Sequence, residues 1–113
     1  MKPVNVGGEL ISVTIANEED EPDLEGRHGV FLGDEARILI TDEIDKTLRW
    51  RVLGHEIMHA CNKYVGLELI LHRQFGLTEQ QAEDLEELIC QIVSPIYLDA
   101  LERNGWLKPP SVK

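Results

Sequence analysis

Two histidines and a glutamate lie together in the middle of the 113-residue chain, in the run His55-Glu56-Ile57-Met58-His59. Residues four apart on a helix share one face, so both imidazoles can reach one Zn²⁺ ion at roughly 2.0 to 2.1 Å. Neutral imidazoles hold a metal without cancelling its charge, and a neighbouring carboxylate can accept a proton from the water that the metal activates. The spacing therefore predicts a zinc site with His55 and His59 as ligands and Glu56 as the general base.

The residues around this motif have the apolar periodicity of a helix that packs on a core. At about 100° per residue, six of them fall on the side opposite the two histidines: Trp50, Leu53, Ile57, Ala60, Cys61 and Tyr64. The helix is expected to begin after Thr41-Asp42 and to end near Lys63 or Tyr64, before Gly66. An accidental match to the motif would not be expected to place the two histidines opposite the apolar side of the helix.

The segment VLGHEIMHAC, residues 52 to 61, resembles the active-site helix of zincin metallopeptidases. In the metzincin branch the motif continues with a glycine and a third histidine, but Asn62 and Val65 hold those places here. The remaining resemblance is to the gluzincins, in which a glutamate from a later helix is the third ligand.

Four glutamates of the later helix are candidates for that ligand: Glu79, Glu83, Glu86 and Glu87. The apolar stripe of this helix is predicted to contain Ala82, Leu85, Ile89, Ile92, Val93 and Ile96. Glu86 lies nearest to the stripe, and an acid beside a buried face needs a partner such as a metal. We therefore predict Glu86 as the ligand. Glu79, which opens a run similar to the gluzincin ligand pattern, and Glu83 are the alternatives.

Two longer stretches are similar to minimal single-domain metallopeptidases, the ImmA/IrrE-like and phage-borne proteins of this size. Residues 33 to 60 resemble their strand and motif helix, and residues 86 to 105 resemble their closing acidic helix. The resemblance implies an α+β fold of zincin type, formed as one domain by residues 1 to 113. It also implies a zinc-dependent endopeptidase in which His55, His59 and Glu86 hold the metal and Glu56 is the general base.

The first third of the chain predicts a small, mainly antiparallel sheet packed on the motif helix. Residues 9 to 16 alternate between apolar and polar types, and residues 29 to 32 and 37 to 41 are apolar runs on either side of a turn. Residues 17 to 26 contain six acids and no base, which is typical of a solvated loop. By analogy with the resembled family, residues 37 to 41 are expected to be an edge strand that pairs with an extended peptide.

The second half of the chain predicts further helical structure. Residues 67 to 76 fit either a short helix or an irregular connection. Thr78 and Gln81 have the spacing of a capping box that opens a long helix through Leu101, and Pro95 is expected to bend or split that helix.

Several single residues have separate expectations. Trp50 and Trp106 are predicted to anchor the core. Cys61 and Cys90 have apolar neighbours and are predicted to be buried free thiols. His72 is a candidate for stabilising an oxyanion.

The charge balance limits the partners. The chain has 21 acidic and 11 basic residues, which gives a formal net charge of −10. Nucleic acids and anionic membranes are bound largely through Lys and Arg, so neither is an expected partner. No apolar run approaches the length of roughly 18 residues that a membrane span needs. We expect a cytoplasmic protein that acts on a peptide or protein substrate, with basic or neutral segments preferred.

An alternative function is a non-catalytic or latent zinc-binding module that has a regulatory role. The presence of Glu56 separates the two hypotheses, because a structural zinc site fills four positions with protein ligands and has no use for an adjacent base. The sequence therefore favours the enzyme.

Overall fold

A computed structural model describes residues 2–105, which form four strands followed by three helices. The strands are β1 (Val4–Val6), β2 (Glu9–Ala16), β3 (Gly29–Leu32) and β4 (Arg37–Thr41). The helices are α1 (Lys46–Val65), α2 (Leu67–Phe75) and α3 (Glu79–Arg103). The α+β class is therefore confirmed.

The four strands form one mixed sheet in the order β1-β2-β4-β3. The β1/β2 and β3/β4 pairs are antiparallel, whereas β2 and β4 run parallel. Strand β1 was not predicted from the sequence, although Gly7 and Gly8 are a typical hairpin turn and both have positive φ angles, 61° and 94°. Two of the three strand pairs are antiparallel, as expected, and the parallel β2/β4 pair makes the sheet mixed.

Strand β4 lies inside the sheet, so the prediction that residues 37 to 41 form an edge strand is wrong. It is hydrogen-bonded to β2 on one side and to β3 on the other. Its Ile38, Leu39 and Ile40 have no exposed surface, and three consecutive apolar residues are typical of a strand covered on both faces. The edge on this side of the sheet is β3.

Helix α1 packs on one face of the sheet, and its termini follow local capping rules. Asp45 is the N-cap, with its side chain accepting a hydrogen bond from the Leu48 amide at 2.8 Å. Gly66 ends the helix in the left-handed conformation, with a φ of 70°. The helix thus starts later than expected but ends where expected.

The buried side of α1 is only partly as predicted. Trp50, Leu53 and Ala60 join the main core with residues of β1, β2 and β4, and Ile57 packs against that core. Cys61 is exposed, and Tyr64 is 58% exposed where its ring lies over Gly7 at the end of the sheet. The prediction of a buried Cys61 is therefore wrong, because the last turns of α1 reach the rim of the sheet.

Of the two structures expected for residues 67 to 76, the short helix is the one present, as α2. Helix α3 begins with the predicted capping box between Thr78 and Gln81. Helix α3 continues through Pro95 to Arg103, so it is not split. Trp106 lies outside the described residues. None of the described helices has both the length and the apolar character that crossing a membrane requires.

The side of α3 that faces α1 differs from the predicted apolar stripe. The buried residues are Ala82, Glu86, Cys90 and Ser94, spaced four apart. Of the predicted stripe, Ile92, Val93 and Ile96 are 56%, 43% and 70% exposed. Small side chains let two helices approach closely, and a Cβ atom placed on Gly54 of α1 would overlap Leu98 of α3. Cys90 is buried, as predicted.

Candidate metal centre

The predicted metal residues lie in one open cleft of about 1350 Å³. His55, Glu56 and His59 come from α1, and Glu86 and Glu87 come from the facing side of α3. Strand β3, the turn after it and α2 also contribute residues to the lining of the cleft. The close packing of α1 on α3 thus brings two histidines to two consecutive glutamates.

The two imidazoles point their Nε2 atoms at a common position. These atoms are 3.2 Å apart. The Glu87 carboxylate spans them, with Oε1 3.3 Å from His55 Nε2 and Oε2 2.9 Å from His59 Nε2. Two ligands about 2.0 to 2.1 Å from one tetrahedral ion are about 3.3 to 3.4 Å apart, so these spacings approach those of a zinc ligand set.

Glu86, the ligand predicted from sequence, lies on the other side of the His59 ring. Its Oε1 atom is 2.7 Å from His59 Nδ1, whereas the Nε2 atoms face Glu87. Because an ionised carboxylate only accepts hydrogen bonds, the Nδ1–H group of His59 donates to Glu86. The structure thus brings Glu86 to the predicted pair, but as a hydrogen-bond partner of a histidine.

The tautomer of His59 provides a test of whether a cation fits this site. With its proton on Nδ1, a neutral His59 presents the Nε2 lone pair to a Glu87 oxygen at 2.9 Å. A lone pair and a carboxylate at this distance repel each other unless a proton or a metal ion lies between them. Two imidazole nitrogens and a carboxylate are also a ligand set that zinc favours, so the residues fit the metal.

Glu56 lies beside this position and is almost fully buried, with 6% of its surface exposed. Its Oε2 atom is 4.0 Å from His55 Nε2. Burial raises the pKa of Glu56 above its usual range, and the neighbouring His55 and His59 partly oppose that shift. The nearby backbone amide of Phe31 in β3 also opposes that shift in the pKa of Glu56.

A second group of polar atoms surrounds Glu86 on the Nδ1 side of the His59 ring. Asn62 Nδ2 donates to Glu86 Oε1 at 3.4 Å, and the Cys90 thiol donates to the same oxygen at 3.7 Å. His59, Glu86 and Cys90 lie close enough together to resemble a metal group themselves. Burial and the charge of Glu86 raise the pKa of Cys90 to about 12, so its thiol keeps its proton. We interpret this group as a hydrogen-bonded support for Glu86.

The remaining sequence candidates lie at the periphery of the site. Glu79 and Glu83 line the cleft, but among residues 2–105 neither has a carboxylate oxygen within 4 Å of a histidine nitrogen. His72 also lines the cleft, with its Nδ1 atom 2.6 Å from the Leu77 carbonyl oxygen. That bond leaves the neutral ring no proton on Nε2 for an oxyanion.

Glu87 was one of the four glutamates that the sequence offered as the third ligand, but Glu86 was preferred. A usable signal was present: the small residues Ala82, Cys90 and Ser94 recur at the spacing of Glu86, and small residues favour close helix packing. If these small residues are taken as the face of α3 that contacts α1, Glu87 lies at the edge of that face, next to the cleft.

Within residues 2–105, strand β3 pairs only with β4, and it lines the cleft. The Thr41 amide donates to the His28 carbonyl at 2.8 Å, so the antiparallel alternation directs the polar groups of Val30 toward β4. The backbone N–H and C=O groups of Gly29 and Phe31 consequently point away from β4. A Cβ atom on Gly29 would lie 2.5 Å from Val52 Cγ1 and 3.5 Å from Glu56 Cγ, so glycine lets this strand lie close to Glu56.

No family model, no curated protein and no solved structure matches the chain. The assignment of a function therefore rests on the chemistry and geometry of the residues themselves.

Proposed function

We propose that this protein is a zinc-dependent endopeptidase with a zincin-like fold. One observation carries the proposal: the Nε2 atoms of His55 and His59 and the Glu87 carboxylate converge at distances of 2.9 to 3.3 Å, with a buried glutamate beside them. Three protein ligands leave a fourth position open, which is typical of catalytic zinc and not of structural zinc.

In this proposal His55, His59 and Glu87 hold the metal. Glu86 accepts a hydrogen bond from the Nδ1–H group of His59, which fixes the tautomer and directs the Nε2 lone pair toward the ion. Glu86 therefore changes from the third ligand, as predicted from sequence, to the residue that orients a ligand. Zinc, when bound, supplies a Lewis acid that polarises a peptide carbonyl and makes water more acidic.

Glu56 moves the protons of the reaction. Its carboxylate accepts a proton from the attacking water and then donates it to the amide nitrogen of the leaving peptide. Burial raises the pKa of this carboxyl, which brings it closer to neutral pH and makes it a better acceptor than an exposed glutamate. The nearby Phe31 backbone favours the charged form of this carboxyl, which is the form that accepts a proton.

The free edge of β3 provides a place for the substrate backbone. An extended peptide can pair with the outward-facing polar groups of Gly29 and with the carbonyl oxygen of Phe31, because strand addition uses main-chain hydrogen bonds. The same two residues lie beside Glu56: a Cβ atom on Gly29 would lie 3.5 Å from its Cγ atom, and the Phe31 backbone lowers the pKa of its carboxyl. The paired peptide therefore lies beside the general base.

The test compares the zinc-loaded wild type with Glu56→Gln on a quenched, unstructured protein substrate. We expect kcat to fall by about 10²-fold or more, since a glutamine cannot accept the proton, while metal analysis gives the same zinc content. The matched control is Glu43→Gln, which changes an exposed glutamate outside the cleft and should leave kcat unchanged.

Equal cleavage by the wild type and Glu56→Gln would disprove the mechanism. Stoichiometric zinc in a wild type that cleaves none of a broad set of unstructured substrates would favour the non-catalytic zinc module instead.

A further inference from the structure

A group of large apolar side chains on α3 is exposed to solvent. Residues 88 to 98 contain no Asp, Glu, Lys or Arg, although 28% of the chain is charged. Five side chains of this stretch are between 43% and 70% exposed, and they are called the apolar row below: Leu88, Ile92, Val93, Ile96 and Tyr97. None of the five lines the cleft. The apolar row is therefore a surface separate from the metal centre.

The centre of the apolar row lies on the side of α3 opposite α1. The buried residues of α3 recur at every fourth position, from Ala82 to Ser94. Leu88, Ile92 and Ile96 each follow one of these buried residues by two positions, which is a rotation of about 200° around the helix. Helix α3 therefore contacts α1 with one side and presents apolar side chains on the other.

Leu88, Ile92 and Ile96 form a ridge of the kind that packs one helix on another. Side chains four residues apart form such a ridge, and two of these ridges interdigitate when the helices cross at about −50°. A two-fold axis beside Ile92 would place the ridge of one copy against the same ridge of a second copy. Helices about 10 Å wide that cross at this angle stay in contact over roughly 13 Å, and the ridge spans about 12 Å. The ridge is therefore complementary to itself in both shape and length.

The exposed area of the apolar row is comparable to what a dimer needs. At roughly 100 to 200 Å² for a side chain of this size, the five residues together expose about 300 to 550 Å². A standard interface buries about 800 Å² on each partner, and somewhat more than half of that area is apolar. The apolar row therefore supplies most of the apolar area of one such interface, and exposed polar neighbours such as Gln91 can complete its margin.

Charge favours contact between two copies at this surface. Two chains that each carry a formal net charge of −10 repel each other. An uncharged apolar surface is where this repulsion is smallest and where burial from water is most favourable. An anionic membrane is a poor occupant, because residues 88 to 98 offer no Lys or Arg to its phosphates.

We propose that the apolar row is the interface of a homodimer, in which α3 crosses the α3 helix of a second copy at Ile92. The two helices pack ridge against ridge, and each copy keeps its own α1 and its own cleft on the far side of α3. The proposal concerns a surface outside the cleft, so it does not depend on whether the protein is a peptidase.

The first test is sedimentation equilibrium of the full chain over concentrations from about 1 to 500 μM. We expect a monomer–dimer equilibrium with a dissociation constant of about 1 to 100 μM, since a small interface gives weak association. Raising the salt concentration from about 0.05 to 0.5 M should strengthen the dimer, because salt screens the repulsion between two acidic chains. Dimers held together by ion pairs would weaken instead.

A charge at the crossing point locates the interface. Ile92→Glu would place two carboxylates next to each other beside the two-fold axis, so we expect the dissociation constant to rise at least about 100-fold. The matched control is Leu10→Glu, which introduces the same charge at an exposed apolar position of β2 and should leave the dimer intact. Circular dichroism checks that both variants are folded.

A cross-link tests the crossing point directly. Helix axes 8 to 10 Å apart would place the two Cα atoms at position 92 about 3.5 to 5.5 Å apart, which overlaps the range of about 4.4 to 6.8 Å for disulfides. Cys61 is exposed, so the experiment uses a Cys61→Ser background. Mild oxidation should then link Ile92→Cys into a covalent dimer and leave Leu10→Cys monomeric.

A protein that stays monomeric at every concentration, or a dimer that survives in Ile92→Glu, would overturn the proposal. If the intact chain is a monomer and removal of residues 106–113 produces a dimer, those residues and not a second copy cover the apolar row. A monomer that binds neutral phosphatidylcholine vesicles, and loses that binding in Ile92→Glu, would assign the apolar row to a lipid surface instead.

Discussion

At the scale of single residues, two consecutive glutamates contact different atoms of the same histidine. Neighbouring residues on a helix point about 100° apart, so Glu86 and Glu87 cannot face the same atom of a histidine. Glu86 contacts Nδ1 of His59, and Glu87 contacts Nε2 of the same ring. The contact with Glu86 places the proton of His59 on Nδ1. The lone pair on Nε2 therefore faces Glu87, at a position where a cation fits.

The division of roles predicts different spectra for two conservative variants loaded with Co²⁺. Glu87→Gln replaces a ligand oxygen, so the visible absorption bands should shift and the affinity should fall. Glu86→Gln keeps the ligand set, so the bands should stay near those of the wild type while the affinity falls about 10- to 100-fold. A spectrum that changes in Glu86→Gln and not in Glu87→Gln would make Glu86 the ligand.

At the scale of elements, the packing of α1 on α3 assembles the site. Gly54 lies where the two helices come closest, next to Leu98, and the buried side of α3 carries small residues. The apolar residues Ile92 and Ile96 remain exposed on the other side of α3. Ile92 and Ile96 are therefore not buried against α1. The small residues on the buried side of α3 allow a close contact between the two helices, and this contact directs Glu86 and Glu87 toward the histidines.

A larger residue at the closest point should push the helices apart. Gly54→Val places a branched side chain against Leu98, and we expect a loss of about 1 to 3 kcal/mol in the free energy of unfolding. Zinc affinity should fall as well, because Glu87 moves away from His55 and His59. Urea unfolding and metal titration measure the two effects.

Two further variants make the Gly54 experiment specific. Thr47→Val introduces the same side chain at an exposed position of α1 and should cost less than about 0.5 kcal/mol. Adding Leu98→Ala to Gly54→Val makes room for the valine, so the double variant should lose less than the sum of the two single variants. Wild-type stability and zinc affinity in Gly54→Val would show that this contact does not position the site.

At the scale of the whole molecule, a bound cation would relieve repulsion that the fold itself creates. The chain carries a formal net charge of −10, and ten acidic residues line one cleft. Glu87 comes from α3 and the two histidines from α1. A metal held by all three would therefore link separate parts of the chain in the native state and not in the unfolded one.

This linkage predicts that zinc stabilises the protein. At a free zinc concentration 100 times Kd, binding to the native state alone adds about 2.7 kcal/mol to the free energy of unfolding. For a domain of this size the melting temperature should rise by roughly 10 °C, and EDTA should reverse the rise. Calorimetry with and without zinc measures the shift. His55→Ala combined with His59→Ala is the control, and a zinc-dependent rise in that variant would place the stabilising metal elsewhere.

The sequence by itself determined the features that depend on residues near one another in the chain. The i and i+4 spacing placed His55 and His59 on one face of a helix, because helix geometry is the same wherever a helix forms. The capping box at Thr78 and the hairpin of β3 and β4 follow equally local rules and occur in the structure. The α+β class follows from the order of these elements.

Only the tertiary structure decided what depends on how the elements meet. The apolar pattern around Leu39 would suit either an edge strand or a central strand. The position of β4 between β2 and β3 depends on how the chain connects these strands. The rotation of α3 was decided by close packing with α1 and not by hydrophobicity alone, because apolar residues occupy much of its circumference. That rotation, which no local pattern encodes, placed Glu87 on Nε2 and Glu86 on Nδ1 of His59.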